Sequence, residues 1–82
     1  MQVIDLTGDQ IRAARGVLGW SVKKLSDTTG VGTATIVRYE ELNGIPPSRK
    51  DNLLRIKQAF ENEGIEFIGT PDDAPGIRIH RK

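Results

Sequence analysis

The chain has no cysteine. That absence removes a disulfide framework and a thiolate metal site, although it does not fix the redox compartment. There is one histidine, His80, close to the last residue and without a neighbouring pattern for catalysis or metal binding. No apolar run approaches the length of a membrane span, and the first residues lack a signal-peptide pattern. The expected location is therefore the cytoplasm, with no membrane partner. Internal repeats and low-complexity segments are missing as well. No nucleophile–base set, phosphate-cradling glycine loop or metal-ligand spacing occurs, so no enzyme, cofactor, metal or small-molecule ligand is expected. The one paired carboxylate, Asp72-Asp73, lies in a Pro/Gly-rich stretch where nothing would desolvate it, and it reads as a turn.

Charge of one sign is also scarce: the net charge of the 82 residues is +1. Its distribution is uneven. Residues 1–60 carry nine basic and six acidic side chains, whereas residues 61–82 carry three basic and five acidic ones. A polyanion would be met by the N-terminal part; ordinary scatter of surface charge is the plainer account. The length allows one small domain, which buries only about 60–65% of the surface its unfolded chain exposes. Such a core is thin, and a second chain could help to complete it.

What is present is a succession of helix start and stop signals. Residues 1–6 are partly apolar and read as an edge strand or as a lead-in. Thr7 and Gln10 fit a capping box, with Leu6 and Ile11 as the hydrophobic staple across it. The first helix is expected to run to about Leu18, with Ile11, Ala14 and Leu18 on one face, and to end at Gly19. Ser21 caps a second helix over residues 22–29, with Val22 and Leu25 inward, Ser26 at the crossing point and Gly30 as a left-handed C-cap. Val31 follows as a buried plug. A third helix starts at Gly32 or Thr33 and reaches about Leu42, with Ile36 and Tyr39 facing in and Asn43-Gly44 as the stop.

Ile45-Pro46-Pro47 reads as a stiff extended linker. Ser48 with Asp51 opens a fourth helix over about residues 49–63, with Leu53, Leu54, Ile56, Ala59 and Phe60 as its apolar face and Gly64 as its C-cap. The period then changes to two. Ile65–Ile68 and Ile77–His80 alternate as half-buried strands. The eight residues 69–76 between them look too long for a tight turn, which leaves open whether the strands pair within the chain or between chains.

The run Ile11-Arg12-Ala13-Ala14-Arg15-Gly16-Val17-Leu18-Gly19-Trp20-Ser21, then Leu25, Gly30-Val31-Gly32-Thr33-Ala34-Thr35-Ile36, Glu40 and Asn43-Gly44, resembles the phage-repressor-like (Cro/Xre-type) helix-turn-helix family. The stretches Gly64–Ile68 and Gly76–Ile79 resemble a tail found in some small bacterial members. The resemblance implies a mainly α fold: a four-helix, lambda-repressor-like helix-turn-helix domain over residues 1–64, followed by a C-terminal β-strand pair over 65–82.

It also implies a DNA-binding site. Helical spacing from Ile36 and Tyr39 leaves Thr33, Ala34, Val37 and Arg38 exposed on the third helix, and matching positions in the family face base edges. Arg38 would bond a guanine or clamp a phosphate, Thr33 would do either more weakly, and Ala34 and Val37 could touch only a thymine methyl. Ser21, Lys23 and Lys24 at the start of the second helix, with Asn43, Arg49 and Lys50 beyond the third, would hold phosphates. Val22 stands where the family often has a glutamine. Arg15 and Glu40 match a structural ion pair in related domains, and Trp20 matches a core position. Ile65, Phe67, Ile77 and Ile79 form an apolar strand face expected to dimerise. The expected function is sequence-specific double-stranded DNA binding by a homodimer that regulates transcription through operator occupancy. The alternative is a protein-interaction module, an antitoxin or adaptor, that keeps the fold.

Overall fold

The computed structural model describes residues 6–42 and 51–80. Expectations for residues 1–5, for the Asn43-Gly44 stop, for the 45–47 linker and for the Ser48 cap lie outside them. The described chain is mostly helical, with four helices and a two-stranded antiparallel sheet: α1 Gly8–Leu18, α2 Val22–Thr29, α3 Thr33–Glu40, α4 Asn52–Asn62, β1 Ile65–Thr70 and β2 Asp73–Ile79.

Local chemistry sets most boundaries. The Thr7 side chain accepts from the Gln10 N–H, and the Gln10 side chain accepts from the Thr7 N–H at 3.0 Å. Two of the four unpaired donors at the start of α1 are thereby satisfied. Ser21 caps α2 by accepting from the Lys24 N–H at 2.9 Å, and Gly30 ends it in the left-handed region. Helix α3 stops at Glu40, two residues before the expected end, because the Leu42 N–H bonds the Tyr39 carbonyl in a tighter turn. Helix α4 begins at Asn52, with Asp51 before it as N-cap and without a side-chain cap bond; the expected pairing of Ser48 with Asp51 lies outside the described residues.

One face of each helix meets a common core of Leu6, Ile11, Ala14, Leu25, Val31, Ile36, Tyr39, Leu53, Ile56, Phe60 and Ile65. The start of α1 abuts the end of α3. A β-carbon on Gly8 would overlap the carbonyl oxygens of both Tyr39 and Leu42. Backbone cannot yield as a flexible side chain can. Gly8→Ala is therefore expected to lower stability by about 1–3 kcal/mol, the usual cost of overpacking. An unchanged urea midpoint would refute the close approach.

The strand region corrects the sequence reading. The eight residues 69–76 are not a loop: β1 extends to Thr70, β2 begins at Asp73, and only Pro71 and Asp72 connect them. The sheet is a hairpin within one chain, with Ile65 opposite Ile79 and Phe67 opposite Ile77. A register irregularity between Ile68 and Thr70 places Gly69, at φ +77°, where a side chain would overlap the Ala74 carbonyl. That bulge and Pro75 break the alternation by which a strand is read.

The hairpin covers the helices. Ile65 is buried, and Phe67 and Ile77 pack on the core. Phe60 links the layers, with its ring centroid 5.8 Å from Trp20 and 6.0 Å from Phe67. The Gln10 amide donates to the carbonyls of Ile68 (3.1 Å) and Gly76 (2.8 Å), tying the first turn of α1 to both strands. The His80 N–H bonds the Gly64 carbonyl at 2.7 Å. Antiparallel alternation then turns the backbone groups of Ile77 and Ile79 away from β1, toward the outer edge of β2.

Candidate nucleic-acid interface

Helix α3 is fixed from behind. Ile36, Tyr39 and Glu40 are buried, and Tyr39 Oη accepts from Asn52 Nδ2 of α4 at 3.2 Å. The Arg15 fork grips Glu40 in two bonds: Nε donates to Oε2 at 3.0 Å and Nη2 to Oε1 at 2.9 Å. The remaining Nη1 donates to the Trp20 carbonyl at 3.0 Å. One side chain thus joins α1, the connection to α2 and the end of α3. The bond to Glu40 raises the Arg15 pKa further above its already high usual value. In front of α3, the turn is held by Thr29, whose hydroxyl donates to the Leu25 carbonyl and accepts from the Val31 N–H at 3.1 Å.

With that side locked, the opposite side is open. Thr33, Ala34, Val37 and Arg38 are all exposed. Their spacing places them on one stripe, since residues three and four apart are neighbours on a helix surface. Val37 retains 44% of its surface, one of few large apolar side chains exposed to that degree among the described residues. The Arg38 guanidinium has a long contact of 3.5 Å to the Thr35 hydroxyl.

The rim is less simple than the sequence suggested. Lys23 Nζ lies 2.9 Å from Asp27 Oδ2 one turn on, and that bond raises its pKa. Lys24 Nζ lies 5.6 Å from the centroid of the Trp20 ring. Exposed contacts of this kind hold a side chain only weakly, so either ammonium can turn toward a stronger anion. Ser21 is exposed, and its Oγ is occupied as the α2 cap. Val22 is half-buried against the core and has no polar reach. Asn43, Arg49 and Lys50 lie outside the described residues. Arg55 of α4 was not singled out in the sequence, yet a β-carbon on Gly30 would lie 3.9 Å from its Nη1, so an exposed guanidinium stands beside the α2–α3 turn. Only the packing of α4 on α2 reveals it.

On the far side of the molecule, Ile65, Phe67 and Ile77 are directed to the chain's own core, and Ile79 remains 41% exposed. The solvent face of the hairpin carries Glu66, which meets His80 Nε2 at 2.7 Å and Arg78 Nη1 at 3.4 Å. The His80 bond, and then the Arg78 charge, hold the Glu66 carboxyl below its usual range. Among the described residues, no group of three or more His, Asp or Glu side chains is placed to hold a metal ion. None of the described helices is long and apolar enough to cross a membrane. No protein-family model matches the sequence, and no curated protein matches it.

Proposed function

We propose that this chain is a sequence-specific double-stranded DNA-binding protein of the phage-repressor-like helix-turn-helix kind. In this reading α2, the Gly30–Gly32 turn and α3 form the DNA-binding unit, with α3 as the recognition helix. It regulates transcription by occupying an operator in the cytoplasm and performs no chemistry. The observation that carries the proposal is the α3 stripe. Four exposed residues, one of them arginine, stand on a helix whose other side is fixed by buried packing and a two-bond ion pair. A rigid helix bearing a donor and small apolar groups suits a major groove.

The protein would act as a homodimer. Among the described residues no strand pairs with the outward backbone groups of Ile77 and Ile79, and exposed Ile79 offers apolar area beside them. Two-fold pairing along β2 would present two recognition helices to half-sites about one helical turn apart. Val22, half-buried and without polar reach where the family often has a glutamine, favours a second reading, in which the same fold serves as an antitoxin or adaptor that contacts protein.

Selection from random duplex DNA with the purified protein tests the proposal. A sharp motif with two-fold symmetry is expected. Binding to it should weaken with salt at a log–log slope of about −3 to −5 per subunit, for about three to five phosphates engaged. Lys23→Ala and Lys24→Ala should each shallow the slope by about one without changing the motif. Arg38→Ala should relax selectivity at one base position. No enriched motif together with a slope near zero would refute DNA as the ligand and leave the protein-contact reading.

A further inference from the structure

We propose that a second copy of this chain pairs with β2 about a two-fold axis at Arg78, and that His80 gates this contact by weakening it in acid. The proposal rests on the homodimer reading above and concerns the register and the regulation of the same edge.

The register follows from the backbone groups that the edge offers. The His80 N–H bonds the Gly64 carbonyl, so alternation along β2 leaves the N–H and C=O groups of Ile77 and Ile79 facing outward. Pro75 has no N–H to offer, and regular pairing within the hairpin stops at Gly76 opposite Ile68. An antiparallel second copy that satisfies every outward group of both isoleucines sets Ile77 of each chain against Ile79 of the other. Arg78 then lies on the axis, opposite its own copy. An axis at Ile77 would set Ile79 opposite Pro75 and leave the Ile79 carbonyl without a donor. An axis at Ile79 would set Ile77 opposite the charged Arg81. With the axis at Arg78, the apolar face becomes one row across four strands: Phe67 and Ile77 of one chain, then Ile79 and Ile65 of the other. That row covers Ile79, which a single chain leaves 41% exposed.

The opposite face supplies the gate. His80 Nε2 meets Glu66 Oε1 of β1 at 2.7 Å, and Arg78 Nη1 meets the same oxygen at 3.4 Å. Across the axis the second copy adds its own Arg78, diagonal to His80 and within reach of a long side chain. With histidine neutral, the arginines and glutamates of the joined face balance. With both histidines protonated, the same face carries surplus positive charge beside a directly opposed arginine pair, and like charges on neighbouring strands repel. Histidine is the side chain that makes this change between about pH 5 and 8. Glu66 stays ionised there, because the His80 bond and then the Arg78 charge hold its carboxyl below the usual range. The dimer therefore binds fewer protons than two separate chains, and association weakens as pH falls.

The test uses the full chain. Sedimentation equilibrium at low ionic strength, where screening is least, should show a dimer whose Kd rises about three- to tenfold from about pH 8 to about pH 5.5. His80→Gln changes an exposed side chain to one that cannot titrate, and its Kd should stay constant across that range. The axis is read by disulfide formation, which the absence of native cysteine makes unambiguous. On the axis, the two copies of residue 78 form a non-hydrogen-bonded pair with Cα atoms about 4.5 Å apart, within disulfide reach. Arg78→Cys should therefore link to its own copy faster than Gly76→Cys or His80→Cys, which lie on the same face. Equal pH dependence in the parent and His80→Gln, or none in the parent, with Arg78→Cys still linking, would overturn the gate and leave the two-fold dimer in place. Faster linkage at position 76 or 80 would overturn the axis. A parent that stays monomeric at every pH, with no variant linking faster than the exposed control Thr70→Cys, would overturn the homodimer reading as well.

Discussion

Replacing Arg15 by alanine should lower the stability of this protein by about 3 kcal/mol, a large share of the roughly 4–12 kcal/mol expected for a domain of this size. The loss is not that of a surface ion pair. The Glu40 side chain is 8% exposed and that of Arg15 25%, so removal of the guanidinium strands a carboxylate in a nearly dry site. The partial exposure of Arg15 places the effect at the lower end of the range for a broken buried pair. The Trp20 carbonyl loses its donor at the same time. Arg15→Lys should recover only part of the loss, because an ammonium cannot present the planar two-bond fork. Joint replacement of Arg15 and Glu40 by apolar residues of similar volume should recover more, since no charge is then left unpaired. Urea denaturation of the four proteins measures these differences. A midpoint for Arg15→Ala equal to that of the parent would show that the pair does not hold α3 to α1.

The parts of this fold that were legible in the sequence are those governed by neighbours along the chain. Thr7 with Gln10, Ser21, and Gly30 mark helix ends through contacts within three or four residues, and α2 occupies residues 22–29 as its caps indicate. The burial of Ile11, Leu25, Ile36 and Tyr39 follows from helical spacing for the same reason, and Val31 is buried as the plug expected after the Gly30 cap. Features set by distant segments were not legible. The hairpin turn at Pro71-Asp72 was hidden because the Gly69 bulge shifts the pairing register. The end of α3 is decided in part by where its carbonyls meet Gly8 of α1, more than thirty residues earlier. In the candidate site, exposure of the four α3 residues could be read from periodicity. The arrival of Arg55 at the turn could not, because it depends on how α4 packs on α2.

Gln10 is where the local and the distant demands meet, and Gln10→Glu separates them. Judged by α1 alone the change is neutral, because glutamate and glutamine serve equally at this capping-box position. In the folded protein Gln10 is 4% exposed, and its amide nitrogen donates to the carbonyls of Ile68 and Gly76. A carboxylate keeps the bond from the Thr7 N–H but turns an acceptor toward two other acceptors. Both carbonyls lose a donor, and a negative charge is buried against their dipoles. The expected loss is about 3 kcal/mol at neutral pH, above the penalty for an unpaired neutral group because the new group is charged. Burial raises the folded-state pKa of the introduced carboxyl above its unfolded value of about 4.3. The penalty is then complete above the folded pKa and shrinks as pH falls toward the unfolded value, where the protonated group can again donate one hydrogen bond. Denaturation of variant and parent across pH 4–8 should show two stability curves that converge on the acid side. Hydrogen exchange should show faster opening of β1 and β2 than of α1, because the helix cap survives and the tie to the hairpin does not. Parallel curves, or equal protection of strands and helix, would mean that the hairpin is held by Ile65, Phe67 and Phe60 packing alone.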